Sequence, residues 1–354
     1  MISRRLENWI TERYDVDGLR RVLSAKYVPS HRYEVSYFTG GLTLFLFVVQ
    51  FLTGMGLALY YVPHSEYAHK SVVDIMTKLP MGWFFRSLHH WGAQLAIASL
   101  FVHFFANLFL KAYRKPRELL WVTGFIMITV LVFFGLSGYF LVWDERAFTA
   151  IRVATGGAGN LPLIGGPIKL LLRGGIDVTQ ETLTRFYAFH ASILPMISLV
   201  IIGLHVLLVQ VHGMSVPLSQ KDRQGKPQPF FPNVFYKDLI VWLLFTGVLV
   251  TLAVIFPAAI GTKADPMAPA PENIKPEWYF LFVFQTLKLF PGRIAGMNGE
   301  TIAITVISLG VLFAFLVPLL DRRSLSGRPS RAFTYIAVFY LVYFVAMTVI
   351  GFLT

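Results

Sequence analysis

The sequence of 354 residues contains no cysteine. Disulfides, thiolate-held zinc or iron–sulfur clusters and thioether-linked haem are therefore excluded. Charge is also scarce. Only 14% of the residues are charged and 55% are hydrophobic, whereas soluble domains carry about 25% and 45–50%. A soluble enzyme, a disordered scaffold and a nucleic-acid-binding domain do not fit that balance. The net charge of +12, from 31 Lys+Arg against 19 Asp+Glu, is of the kind that cytoplasmic loops of a multi-pass membrane protein carry, so no nucleic-acid partner is expected. No cleavable signal peptide is recognisable. Residues 1–35 are polar, with Glu7, Glu12, Asp15 and Asp17 among arginines, and read as a surface segment or interfacial helix.

Long apolar runs are abundant. A crossing needs roughly 20 apolar residues to span about 30 Å of hydrocarbon. Seven runs qualify: 36–61, 84–110, 121–143, 186–211, 239–258, 301–320 and 333–353. The expected fold is an all-α, multi-pass membrane protein with seven transmembrane helices. Residues 161–172 are too short and are broken by Gly165, Gly166 and Pro167, while 277–290, after Pro276, fit a re-entrant or surface helix. With the N-terminus in the cytoplasm, the inner loops hold 19 Lys+Arg and the longer outer loops 12. The inner side is accordingly the n face and the outer the p face. The chain divides into the surface segment 1–35, four spans in 36–212, a polar linker at 213–237 and three spans in 238–354. The outer loop 144–185 and the Pro-rich stretch 257–276 are long enough to dock a partner or cover a site.

The seven runs contain no Asp or Glu, which weighs against proton pumps and antiporters. Their ionisable groups at depth are His89 and His103 in the second run, and His190 and His205 in the fourth. Fourteen residues separate the first two, about 21 Å along a helix and some 40° short of four turns. Fifteen separate the second two, about 22 Å and some 60° past four turns. Each pair therefore leaves roughly one face of its helix, and His90 is a poorer partner for His103 than His89 is. Both runs point from p to n, so His89 lies level with His190 and His103 with His205. A single intramembrane histidine is most simply a hydrogen-bonded core residue. Four at matched depths offer two pairs of axial imidazoles, enough for two bis-histidine haems in a bundle of the first four helices. A di-iron site would need glutamates.

Glycine repeats the pattern. Gly40 and Gly54 in the first run, and Gly124 and Gly138 in the third, are also fourteen apart. Gly40 and Gly124 fall at the depth of His103 and His205, and Gly54 and Gly138 at that of His89 and His190. A missing side chain allows the close approach of a porphyrin, although small residues also serve ordinary helix packing. Arg86, one turn before His89, is placed either to pair with a haem propionate or to snorkel at the interface.

These features, with the segments RSLHHWGA (86–93), KPRELLWVTG (115–124), SGYFLVWD (137–144), RFYAFH (185–190) and PEWY (276–279), resemble cytochrome b of the quinol-oxidising cytochrome bc complexes over nearly the whole chain. The 15-residue histidine step, the 115–124 segment and the seven spans are closer to the b6f-type branch, with its cytochrome b6 and subunit IV parts fused in one chain. The sequence departs from the family at four places. Phe38 stands at the cysteine position of the extra covalent haem, so a third haem there is at most non-covalent. Ala106 replaces an arginine three residues after His103. Val142 replaces the proline of Gly-Tyr-x-Leu-Pro-Trp. Gln210 replaces a histidine, with His212 close by.

The resemblance implies a subunit of a quinol–cytochrome c reductase, or one with a plastocyanin-like acceptor, in a bacterial cytoplasmic membrane. It implies a Rieske iron–sulfur protein and a c-type cytochrome as partners, a homodimeric complex, two b-type haems and quinol as substrate. Quinol oxidation is expected at a p-side pocket beside His89/His190, with Glu277 as proton acceptor. An apolar surround of Trp278, Tyr279 and Phe280 suits reversible protonation there. Tyr279 and Tyr139 are further candidates, alternatively members of an interfacial aromatic belt. At the n side, Lys237 and Asp238 match positions near quinone and proton uptake, where His212 could assist, or simply begin a solvated helix. A haem-bearing anchor of a dehydrogenase or hydrogenase is the alternative that the paired histidines alone leave open.

Overall fold

The computed structural model describes residues 2–13, 18, 26–271 and 274–354. Asp15, Asp17 and the side chain of Glu7 lie outside what it describes. Helix α1 (Ile2–Arg13) is followed by α2 (Ser36–Ala58), the short α3 (Ala68–Lys78), α4 (Gly82–Leu110) and α5 (Glu118–Phe140). A hairpin of α6 (Glu145–Gly159) and α7 (Gly165–Arg173) leads to α8 (Gln180–His212), α9 (Phe235–Ile255), α10 (Trp278–Lys288), α11 (Gly299–Phe315) and α12 (Arg331–Leu353). In hydrocarbon the backbone must satisfy its own polar groups, so each long apolar run becomes a helix. Among the described residues six, α2, α4, α5, α8, α9 and α12, are long and apolar enough to cross a membrane.

The expected run 301–320 is divided. Helix α11 ends after 17 residues at Phe315, and Val317–Leu320 forms a separate turn. Pro318 has no N–H for the Ala314 carbonyl four residues back. That carbonyl instead accepts the Trp121 indole N–H at 3.1 Å. Helix α9 also starts earlier than expected, at Phe235. This takes Lys237 and Asp238 into its first turn, where the helix dipole favours the acid.

Helices α2, α4, α5 and α8 form a four-helix bundle, with α2 along α4 and α5 against both α4 and α8. Helix α9 lies on α4 and α2, and α12 packs on α10 and α4. The p end of the bundle is filled by Phe140, Trp143, Phe148, Ile151, Leu183 and Phe186. The n end is filled by Leu108, Tyr113, Trp121, Val317 and Ala337. The 213–234 linker is tied to the leading segment by an antiparallel pair, β1 (Tyr27–Val28) with β2 (Gln228–Pro229).

The later part of the chain is joined to the bundle at both faces. At the p face Asp144 caps α6 through the Ala147 N–H (2.8 Å) and accepts the Gly261 N–H (3.2 Å) with its other oxygen. At the n face the buried Tyr113 hydroxyl donates to Asp321 at 2.8 Å. The carboxyl of Asp321 is nevertheless held below its usual range, because bonds from Ser324, Tyr113 and Ser330 outweigh its burial, the largest single effect, which pushes it up.

Candidate functional site

The bundle places its four histidines through two differently built helices. His89 and His103 are in the uninterrupted α4. In α8, residues Phe189–Ile193 form a wide π turn, and the Leu194 N–H bonds back to the Phe189 carbonyl. The cause is Pro195, which has no N–H for Ala191 and forces its carbonyl out of the regular ladder. Absorbing one residue removes about 100° of rotation. The 15-residue step in α8 thus returns to the phase of the 14-residue step in α4, and both pairs project into the bundle.

Every one of these rings is held from behind by a hydroxyl. Thr53 Oγ1 lies 2.9 Å from His89 Nδ1, and Ser137 Oγ 3.0 Å from His190 Nδ1. Thr39 Oγ1 and Thr123 Oγ1 each lie 2.8 Å from Nδ1 of His103 and His205. Each hydroxyl gives its own proton to a helix carbonyl, of Val49, Phe134, Ser36 and Leu119 respectively. The hydroxyl oxygen must then accept from the ring, which puts a proton on Nδ1 and leaves Nε2 as the ring nitrogen for a metal. That is the orientation in which a second-layer partner holds a metal-binding imidazole.

Each hydroxyl residue directly precedes one of the four glycines. A Cβ at Gly138 would stand 2.6 Å from His190 Cε1. At Gly40 it would be 2.9 Å from His103, at Gly54 3.2 Å from His89 and at Gly124 3.4 Å from His205. The pairing by depth is the expected one. The near neighbour of each glycine is the imidazole edge, and each also lines a cavity.

The inner cavity, of about 300 Å³, holds His103 and His205; the outer, of about 310 Å³, holds His89 and His190. Phe47 and Leu131 border both. The His89 and His190 ring centres are 6.2 Å apart. That separation suits one metal ion bound by each ring at about 2 Å. Among the described residues no cluster of three or more His, Cys, Asp or Glu could hold a free metal ion. Paired imidazoles facing two apolar cavities of cofactor size fit a b-type haem in each.

At the outer cavity the structure gathers Glu277, Tyr279, Tyr139 and Arg86. Glu277 immediately precedes α10 but does not cap it; its Oε2 accepts from Gln94 Nε2 at 2.9 Å. Arg86 donates to the carbonyls of Ala258 (2.6 Å) and Ala259 (3.0 Å). With the Ser87 hydroxyl and the Trp91 indole it stitches the 256–259 segment to α4.

The inner end is less convergent. His212, Lys237 and Asp238 do not line the inner cavity. Lys237 donates to Gln228 Oε1 (3.0 Å) and pairs with Glu34 at 3.5 Å. The Glu34 carboxyl is held below its usual range by the Ser30 hydroxyl and by Lys237. Asp238 packs against Gly41, where a Cβ would lie 2.8 Å from its Oδ1. The His212 carbonyl, not its ring, is engaged, accepting from Arg117 at 2.8 Å. Gln210 bonds to Lys26. Beside Ala106, Asn107 Nδ2 reaches His103 Nε2 at 3.1 Å. Arg117 is the one Lys or Arg among the described residues that line this cavity. The sequence reading did not single out the four hydroxyl residues, Gln94, Asn107 or Arg117. The Ser/Thr-Gly dipeptide at all four glycines was the signal for the first group.

Residues 23–213 match the family described as cytochrome b/b6/petB, and residues 263–354 the one described as cytochrome b(C-terminal)/b6/petD. The cytochrome bc complex cytochrome b subunit of Chlorobaculum thiosulfatiphilum is 41% identical over 347 residues, 96% of this chain and 79% of that relative. Cytochrome b6 of Picosynechococcus sp. is 38% identical over 214 residues, 60% of this chain and 96% of that protein. Among solved structures, a chain of a hyperthermophilic respiratory Complex III superposes with a TM-score of 0.84 at 29% identity, covering 97% of this chain and 90% of that one.

Proposed function

The chain belongs to the cytochrome b/b6 family, as the cytochrome b subunit of a bc-type quinol oxidoreductase complex in the membrane, and on that premise we propose that it is a dihaem electron carrier linking quinol oxidation at the p face to a quinone site at the n face, coupled to proton translocation. Membership implies b-type haem, quinol, and Rieske and c-type cytochrome partners; it leaves the dehydrogenase or hydrogenase anchor without support. The observation that supports the dihaem reading is the set of four Nδ1–hydroxyl bonds, which hold by one ring nitrogen the four imidazoles that line two cavities. His89 with His190, and His103 with His205, are the proposed ligands; the haems, when bound, supply one-electron carriage. A third haem beside Phe38 would be non-covalent.

Quinol loses two protons and two electrons on becoming quinone. In the outer cavity Glu277 is the proposed base, taking a quinol proton on a carboxylate oxygen. Tyr139 and Tyr279 border the same space. One electron leaves to the Rieske partner, and the acceptor beyond it is a cytochrome c or a plastocyanin-like protein. The other crosses to the inner end, where Asp238, Lys237 and His212 are the proposed groups for proton uptake. Helix α11, continued by the Val317–Leu320 turn, serves as the seventh crossing, and the complex is a homodimer. A reduced-minus-oxidised spectrum of the purified complex, with a haem-to-protein ratio, tests the reading. Two b-type haems per chain are expected, and a ratio of one or none overturns it.

A further inference from the structure

We propose that Gln94 is the positioning residue for the Glu277 carboxylate, and that the Trp278 indole sets its orientation. The inference rests on Glu277 being the proton acceptor. Trp278 Nε1 donates to Gln94 Oε1 at 2.7 Å, and Gln94 Nε2 donates to Glu277 Oε2 at 2.9 Å. An indole N–H can only donate. It therefore decides which end of the amide carries oxygen, and the amide NH2 is left facing the carboxylate. Consecutive residues of the chain grip one amide of α4 from both ends.

This grip explains why Glu277, placed directly before α10, leaves the N–H groups of that helix uncapped. Its side chain is drawn instead to the outer cavity, which both Glu277 and Gln94 line. Oε2 is occupied by the amide, so Oε1 is the atom left for the quinol proton. Transfer converts the carboxylate to a neutral acid while Oε2 keeps accepting from Gln94, and the electrons leave by the route of the parent reaction. An NH2 group donates and cannot accept, so a carboxylate oxygen is the partner that matches it. The other titratable groups bordering this cavity are Tyr61, Tyr139, Tyr187, Tyr279, Arg86, His89, His90 and His190, and none is altered by a change at position 94.

The test uses the purified complex with its haems, a short-chain quinol, and the variants Gln94→Met, Trp278→Phe, Glu277→Gln and the double Gln94→Met/Glu277→Gln. Gln94→Met is expected to lower kcat about tenfold, the worth of a bond to a charged group, with KM and the haem spectrum unchanged. Trp278→Phe, which leaves Gln94 in place but unaimed, should lose less in the same direction. In the Glu277→Gln background the change at Gln94 should cost nothing further. A slow Glu277→Gln beside a normal Gln94→Met overturns this inference alone. The same factor lost in both backgrounds overturns it too, since Gln94 then acts independently of the carboxylate. Normal turnover in Glu277→Gln removes the parent reading and this inference with it.

Discussion

The outer and inner cavities are nearly equal in volume and share one plan, a pair of facing histidines, each backed by a hydroxyl residue and faced by the glycine that follows it. They differ in what the later part of the chain brings to them. At the outer end the start of α10 delivers Glu277 and Tyr279 into the cavity, and the 256–264 segment is bonded to α4 and to Asp144. At the inner end Lys237 and Asp238 face Glu34, Gln228 and Gly41 instead. The frame of histidines, hydroxyl residues and glycines is thus duplicated along the bundle, while Glu277, Tyr139 and Tyr279 line the outer cavity alone. On the proposed function, the repeated part would hold the cofactors and the asymmetric part would carry the proton chemistry of quinol.

The strongest way to break that comparison is to remove one pair at a time. His190→Leu should halve the haem content and abolish quinol oxidation while the inner haem signal persists; His205→Leu should spare quinol-driven reduction at the outer pair. Loss of both signals from either variant, followed by optical titration, would show that the cavities are not separable. Glu277→Gln should slow quinol oxidation by about 100-fold with both haems bound and inner re-oxidation intact. Gly138→Ala, whose methyl would lie 2.6 Å from His190, should destabilise the outer site by about 1–3 kcal/mol. Gly124→Ala, at 3.4 Å from His205, should be mild; thermal retention of each haem reads the order, and equal effects would mean the glycines serve something other than the rings. Asp238→Asn should give the smallest change, under about tenfold in re-oxidation of the inner haem. Normal kinetics would leave Asp238 as an acid in a helix first turn beside Gly41.

Much of the frame was legible because it is periodic. Histidines and glycines recurring every fourteen or fifteen residues report helix face and depth directly, and the structure sets each glycine against the histidine expected at its level. The hydroxyl residues were equally periodic, but Ser and Thr are common in membrane helices and attract no notice until their proton balance is worked out. The break in α11 depended on Pro318, which frees the Ala314 carbonyl for a partner, Trp121, about two hundred residues earlier in the chain. The start of α9 moved because a charged first turn is compatible with a helix that is apolar beyond it. The Gln94 bonds join α4 to residues 277 and 278, and no local pattern announces contacts across such a separation. The loose inner end has the same origin, since rotamers, not spacing, decide where Lys237 and Asp238 point.

The π turn before Pro195 has a bearing on how such bundles are recognised and redesigned. It uncouples the angular setting of His190 from that of His205, so one residue can be inserted between two such histidines without misaligning them, provided an imino acid follows five places after the first. A template that demands a single fixed interval would overlook chains like this one. Conversely, deleting one residue from 189–193 together with replacing Pro195 should yield a straight rod with the same register, a way to ask whether the kink is a geometrical correction alone.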